Sequence, residues 1–299
     1  MMFGVELHDA RAVAVAVNGG GEVLARSIAE ASADVAGAAR TALQKVRQSA
    51  ADSRDVTLGV ACIAPESSAF AAAIDALARE YGGAPEHAAP TSSGVAAVVA
   101  EAWVGAAKGV GDVVYFAVDD HTSAGILRAG VPVTGSRGRA GSVAWLALNP
   151  VEREDYRRVG CLEAEVSAAG IVRRFIWRIK SGDASRIQDE VANDLAKVTV
   201  SHILAAAREH DGVAISVVRD TAKYLGMAAA NLVAVIDPEM LVLGGIIAGE
   251  DALLLDLVRA EISRRLPRMM FDALTIAPAA LGAEAAAIGA ARLAGAAAR

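Results

Sequence analysis

Between Thr221 and Ile247 the chain reads TAKYLGMAAANLVAVIDPEMLVLGGII, and that order of residues restricts what can be built around it. Ala222, Leu225, Ala229, Leu232, Val233 and Ile236 recur at helical spacing. Asp237-Pro238 ends the helix, because proline supplies no amide hydrogen. Met240 to Leu243 reads as a short buried strand that runs directly into Gly244-Gly245, and after Gly249 a new helix is expected from about Asp251. A helix that passes at once into a covered strand belongs to an α/β chain with helices packed on its sheets.

At 299 residues the chain is long enough for two medium lobes, each with its own core. Hydrophobic residues make up 54% and aromatic residues only 4%, so the core is expected to consist of many small Ala and Val contacts. No window approaches 18 consecutive apolar residues free of charge, and no basic region followed by an apolar one opens the chain. A soluble cytoplasmic protein without membrane association is therefore expected. Cys62 lies in an apolar run and Cys161 stands alone, a pattern of neither a disulfide framework nor a thiol cluster. The formal net charge of −6 is spread without a basic stripe, which argues against nucleic-acid binding by these residues.

In chain order, strands are expected at Phe3–Leu7, Ala12–Val17 and Glu22–Ile28, the last two joined through Asn18-Gly19-Gly20-Gly21. A helix capped by Ser32 or Asp34 runs to about Ala50, and a strand follows at Val56–Ile63, ended by Pro65. Helices follow at Ser68–Tyr81, broken by Gly82-Gly83, and at Gly94–Ala107, with Pro85 and Pro90 restricting the stretch between them. The plan then repeats: strands at Val113–Val118 and Thr122–Leu127 around Asp119-Asp120-His121, a strand at Val143–Leu148, and helices from Leu162 to Ile236. The strand Met240–Leu243, a helix over Asp251–Leu266, a strand at Ala273–Ala277 and an Ala-rich helix from Glu284 complete it. Meander and helices, twice over, predict a duplicated two-lobe fold with a central cleft.

NLVAVIDPEMLVLGG, with Leu281-Gly282 and Ala287 to Ala291, resembles the ROK family (repressor, open reading frame, kinase). GEVLAR at Gly21–Arg26, AEAWVGAAKGVGDVVYFAV at Ala100–Val118 and GCLEAEVSAAGIVRR at Gly160–Arg174 agree in position and type, so the resemblance covers essentially the whole chain. It implies an actin/hexokinase-like (ribonuclease H-like) fold. The N-terminal lobe would comprise residues 1–108, with the helix 284–299 packing back on it, and the C-terminal lobe residues 109–283. The family contains ATP-dependent sugar kinases and sugar-responsive repressors that carry an N-terminal winged helix-turn-helix; no such module stands ahead of the first strand here.

The motifs that carry chemistry in this family are degenerate in this sequence. The first phosphate loop, Asp-x-Gly-Gly-Thr-Lys, falls on Glu6 to Arg11. The second, Gly-Thr-Gly-Ile-Gly-Gly-Gly, falls on Asp119 to Gly125 and keeps only Gly125. Acidic side chains facing a polyphosphate cost roughly 1 to 4 kcal/mol per close pair, so ATP binding in the family manner is not expected. The catalytic Asn-Asp pair falls on Ser92-Ser93, and a serine at Ser93 cannot serve as general base, a loss of about 10² to 10⁴ in rate. Glu-Ile-Gly-His falls on Ser142 to Trp145, and Glu154 and Tyr156 stand where two zinc-binding cysteines would, leaving Cys161. No zinc site is therefore expected.

Glu163 remains among the expected sugar ligands, with Ser92, Ser93, Ser142 and Trp145 as further pocket candidates and Gly125, Gly244 and Gly245 as the residual nucleotide-site glycines. Bland readings stand beside these: a helix-start glutamate, a core tryptophan in an apolar strand, an exposed loop at Arg137 and Arg139. Glu6, His8, Asp9, Asp119, Asp120 and His121 form a candidate cation cluster, against which stand solvated turn tips. The combined reading is a catalytically inactive member, a pseudokinase serving as the effector-sensing, homodimerising body of a transcriptional regulator. A sugar or sugar-derived effector, a second copy, and DNA only through an added N-terminal module are the partners implied. The alternatives are a sugar kinase using ATP and magnesium at an atypical site, and a structural or partner-binding module.

Overall fold

The computed structural model describes residues 1–31, 34–50, 57–64, 68–81, 90–249 and 253–297. The expected roles of Ser32, Val56, Pro65, Gly82-Gly83, Pro85 and Asp251 lie outside these residues. Strand β1 (Met2–Leu7) is buried at every position, Glu6 included, which accounts for its mainly apolar sequence. It pairs antiparallel with β2 (Arg11–Val17) and parallel with β4 (Thr57–Cys62). β3 (Val23–Glu30) and the two-residue β5 (Thr91–Ser92) complete a sheet of order β3-β2-β1-β4-β5.

The second sheet repeats this order. β6 (Val113–Val118) is antiparallel to β7 (Thr122–Arg128), which pairs with β8 (Val131–Pro132), while β9 (Met240–Gly245) and β10 (Thr275–Pro278) follow in parallel on the other side. The sheet reads β8-β7-β6-β9-β10, so the two halves share one topology.

Helix α1 (Val35–Ser49) starts at Asp34, whose carboxylate accepts from Gly37 N, and it lays Ala38, Ala39, Ala42, Leu43 and Val46 on the first sheet. α2 (Ser68–Glu80) and α3 (Ser93–Val104) follow, then α4 (Glu154–Val159), α5 (Cys161–Val166), α6 (Ala168–Lys180), α7 (Ile187–Glu190) and α8 (Val200–Arg208). The long α9 (Gly212–Ile236) extends the helix expected before Asp237 back to an Asp211 cap. Asp237 closes it in the left-handed region at φ 51°. α10 (Leu253–Arg265), α11 (Arg268–Ala273) and α12 (Ala285–Ala297) complete the chain.

α12 returns to the first sheet and lies on β1, β4 and α3. The approach is close enough that a Cβ added at Gly4 would stand 1.8 Å from Ala287 O, and one at Gly59 1.9 Å from Ala290 O. An alanine-rich helix over a glycine-bearing sheet is what permits this backbone-to-backbone packing. The largest core cluster lies in the second half, where Phe116 and Leu241 of the sheet meet Phe175 of α6, Ile203 of α8 and Leu225 of α9.

Some expectations are corrected. Val143–Leu148 is not a strand: Gly141 at φ 83° and the Val143 N to Gly141 O bond start a 3₁₀ turn at Val143–Trp145, and no described strand pairs with it. Trp145 is 58% exposed, so the core reading of that side chain fails as well. The strand expected at Ala273 begins at Thr275 because Ala273 closes α11. β5 and β8 escaped notice because two residues carry no readable alternation.

Glu101 of α3 is wholly buried, and its carboxylate accepts from the backbone N–H groups of Ala106 (2.7 Å), Ala280 (3.0 Å) and Leu281 (3.0 Å). It ties the end of α3 to the loop that leads into α12. Glu101→Ala would strand these donors without partners and is expected to lower stability by about 3 kcal/mol or more, with Glu101→Gln losing less; chemical denaturation midpoints measure both.

Candidate functional site

The turn between β1 and β2 and its counterpart between β6 and β7 face each other across the cleft. Each is a tight hairpin, closed by His8 N to Arg11 O and by Asp119 N to His121 O. His121 connects them. Its Nδ1 lies 2.7 Å from Glu163 Oε1 and its Nε2 lies 2.9 Å from Asp9 Oδ2. Glu163, on α5 and 7% exposed, also accepts from Thr122 N at 2.7 Å and Thr122 Oγ1 at 2.6 Å. The hydrogen bond and charge of Glu163, aided by Asp9 and opposed by burial, push His121 up to about 9, so at neutral pH it is an imidazolium that donates to both carboxylates. Gly160 sets α5 in place: at φ 94° it lets the chain pass where a Cβ would stand 2.2 Å from Ala144 O.

His121 forms part of the wall of two cavities. The larger, about 320 Å³, is lined by Phe70, Ser92, Ser123, Ser142, Trp145 and Glu163, among others. Ile63, Phe70, Val143 and Val159 contribute apolar lining, and Asp9, His121, Arg139 and Glu163 contribute titratable groups. The smaller, about 50 Å³, lies on the other side among Glu6, His8, Arg11, Ser93, Tyr115 and Asp119. There Glu6 pairs with His8 at 3.1 Å, and burial, moderated by Arg11, pushes Asp119 up to about 6. The buried Arg11 Nε and Ser93 Oγ have no hydrogen-bond partner among the described residues. A space of this size holds a few waters at most.

The structure thus brings Glu163, Ser92, Ser142 and Trp145 around one cavity and places Ser93 on the other. Gly125 instead sits within β7 against α3, where an added Cβ would lie 2.0 Å from Gly94 O. Gly244 lies beside the Tyr115 hydroxyl, and Gly245, at φ 63°, passes close to Val118 O. Of the candidate cation cluster, Glu6, His8, Asp119, Asp120 and His121 line the smaller cavity together, where Glu6 pairs with His8, while Asp9 lines the larger cavity and pairs with His121. Among the described residues no group of three or more His, Cys, Asp or Glu is arranged to hold a metal ion. Tyr156 and Cys161 join Ala164 and Leu148 in a small apolar cluster, with the Tyr156 hydroxyl donating to Glu165 and Arg153 lying 5.3 Å over its ring. Sequence reasoning missed His121 as the bridge, and Thr122, Ser123 and Phe70 as lining. Only the charge of His121 between two acidic turns could have suggested the first.

The ROK family model matches residues 94–297, more than half of the chain. A glucokinase from Halalkalibacterium halodurans is 31% identical over 199 residues, covering 64% of this chain and 59% of its own length. The transcriptional dual regulator NagC of Escherichia coli K12 is 28% identical over 166 residues, covering 55% of this chain and 39% of its own length. The chain therefore spans less than two thirds of these curated relatives. Among solved structures, a ROK transcriptional regulator homologous to the E. coli MLC protein aligns with TM-score 0.79 at 21% identity, over 99% of this chain and 78% of that one. A ROK glucokinase from Streptomyces griseus, solved with glucose and AMPPNP, aligns with TM-score 0.77 at 21% identity over 98% of both chains. These likenesses show the fold, and kinases and regulators share it.

The folded value of His121 exceeds its ordinary 6.5, so its contribution to stability is complete below that value and is lost as pH rises through about 9. Asp119 is likewise raised, so its effect is spent between 3.8 and about 6. Thermal melts from pH 6.5 to 9.5 are expected to show a falling midpoint that His121→Gln flattens; an unchanged slope in that variant would remove the bridge from the account.

Proposed function

The chain belongs to the ROK family, and from that premise we propose that it is an effector-binding body of the regulator kind that does not transfer phosphate. One observation carries the reading: the cavity around Glu163 stays open at about 320 Å³, whereas the space beside it, where the phosphate loops of the family would meet, is reduced to about 50 Å³ by side chains from both turns. Glu6, Asp119 and Asp120 add negative charge on that side, and no carboxylate stands at Ser92-Ser93 to take a proton from an attacking hydroxyl.

The larger cavity suits a sugar or sugar-derived effector. A ring of modest size can lay an apolar face toward Trp145 and Phe70 while its hydroxyls reach Glu163, Ser92 and Ser123. Association with a second copy and action in the cytoplasm belong to this reading, as does DNA binding only through a further module. Among the described residues no helix is long and apolar enough to cross a membrane. The kinase alternative draws on the glucokinase relative, but it requires His8, Arg11 and Asp119 to leave the space they fill. A module without ligand is the remaining alternative.

A thermal-shift panel of neutral hexoses, pentoses and N-acetylhexosamines, followed by calorimetry, tests the proposal. At least one sugar is expected to raise the midpoint, and Glu163→Gln and Trp145→Ala are each expected to weaken its binding by about tenfold or more. A coupled assay with ATP and magnesium is expected to show no turnover. Saturable, magnesium-dependent phosphorylation would establish the kinase alternative, and a panel without any shift would leave the structural module.

A further inference from the structure

β3 ends the first sheet, and among the described strands only β2 pairs with it. Ala31 N donates to Ala10 O, and the register sets Arg11 against Glu30, so Ala25, Ser27, Ala29 and Ala31 turn their backbone groups toward β2. Arg26, Ile28 and Glu30 consequently turn their N–H and C=O groups to the outer edge. Their side chains share the face away from α1, since Ala25 and Ala29 are the ones that join the cluster beneath that helix. All three side chains are exposed, Ile28 at 53%.

We propose that this edge is a self-association surface whose occupant is β3 of a second copy, paired antiparallel about a twofold axis through Ile28. In that register each Arg26 lies opposite a Glu30 and Ile28 meets Ile28, so two unlike charge pairs flank one apolar pair on the same face. A shift by two residues sets Ile28 opposite a charge. A shift by four sets Arg26 against Arg26, or Glu30 against Glu30, which is repulsive. Charges on a free strand edge ordinarily discourage pairing; placed symmetrically with opposite signs around Ile28, they select a single partner and a single register. Arg26 Nη1 already donates to Glu284 Oε1 at 2.9 Å, which orients the guanidinium, and its five donors leave capacity for a second carboxylate. The interface does not depend on what the cleft binds.

Sedimentation velocity over a concentration series, with the full chain, tests it. Wild type is expected to associate reversibly. Arg26→Glu, which sets glutamate opposite Glu30, is expected to weaken association on the order of tenfold, and adding Glu30→Arg is expected to restore it. Directly paired residues in this register have Cα atoms about 5.5 Å apart, a span that a disulfide bridges. Ile28→Cys is therefore expected to give a covalent dimer on mild oxidation and Leu24→Cys is not, with the native Cys62 and Cys161 both buried. A chain that stays monomeric at every concentration would show that Arg26 and Glu30 guard the edge and would overturn the proposal. So would association that Arg26→Glu leaves unchanged, or an Ile28→Cys chain that does not cross-link.

Discussion

An imidazolium held between two carboxylates is the contact that gives the cleft its form. Burying Glu163 as an anion is costly in isolation, and the cost is offset by three donors: His121 Nδ1, Thr122 N and Thr122 Oγ1. His121 in turn needs both acids to hold its proton, and the second, Asp9, comes from the opposite turn. The position of the ring follows from that electrostatic demand. Because the ring helps wall both cavities, the same demand separates an open pocket from a space closed by side chains.

Beneath this site the scaffold is held by a different kind of interaction. α12 approaches the first sheet and α3 so closely that Gly4, Gly59 and Gly289 tolerate no Cβ; one at Gly289 would stand 1.7 Å from Ala96 O of α3. These contacts depend on residue size and not on any ligand. Gly125 shows the distinction. Met in sequence as the last glycine of a loop, it serves in the fold as the place where α3 meets β7.

That difference explains how much could be read in advance. The helix, Asp237-Pro238 turn and strand up to Leu243 were legible because period and punctuation are local signals, and the repeated plan gave the duplicated sheets. The turn at Val143–Trp145 was not, since a short apolar run does not disclose whether a neighbouring strand exists to receive it. Nor was the role of His121, which depends on Asp9 and Glu163 being brought together from 112 and 42 residues away. Glu163 was singled out as a candidate through its motif; its partners are a matter of tertiary structure.

The bridge also determines how an occupied pocket can be felt elsewhere. Glu163 Oε2 already accepts two bonds from Thr122, whereas Oε1 accepts one from His121 and has a lone pair to spare. Under the proposed reading, a ligand hydroxyl would therefore settle on Oε1 and share that oxygen with the imidazolium. Sharing alters the hold of Glu163 on His121, and His121 is the group that grips Asp9 on the turn between β1 and β2. A bond made in the cavity thus reaches the first sheet through two hydrogen bonds, without requiring any movement of the packed helices.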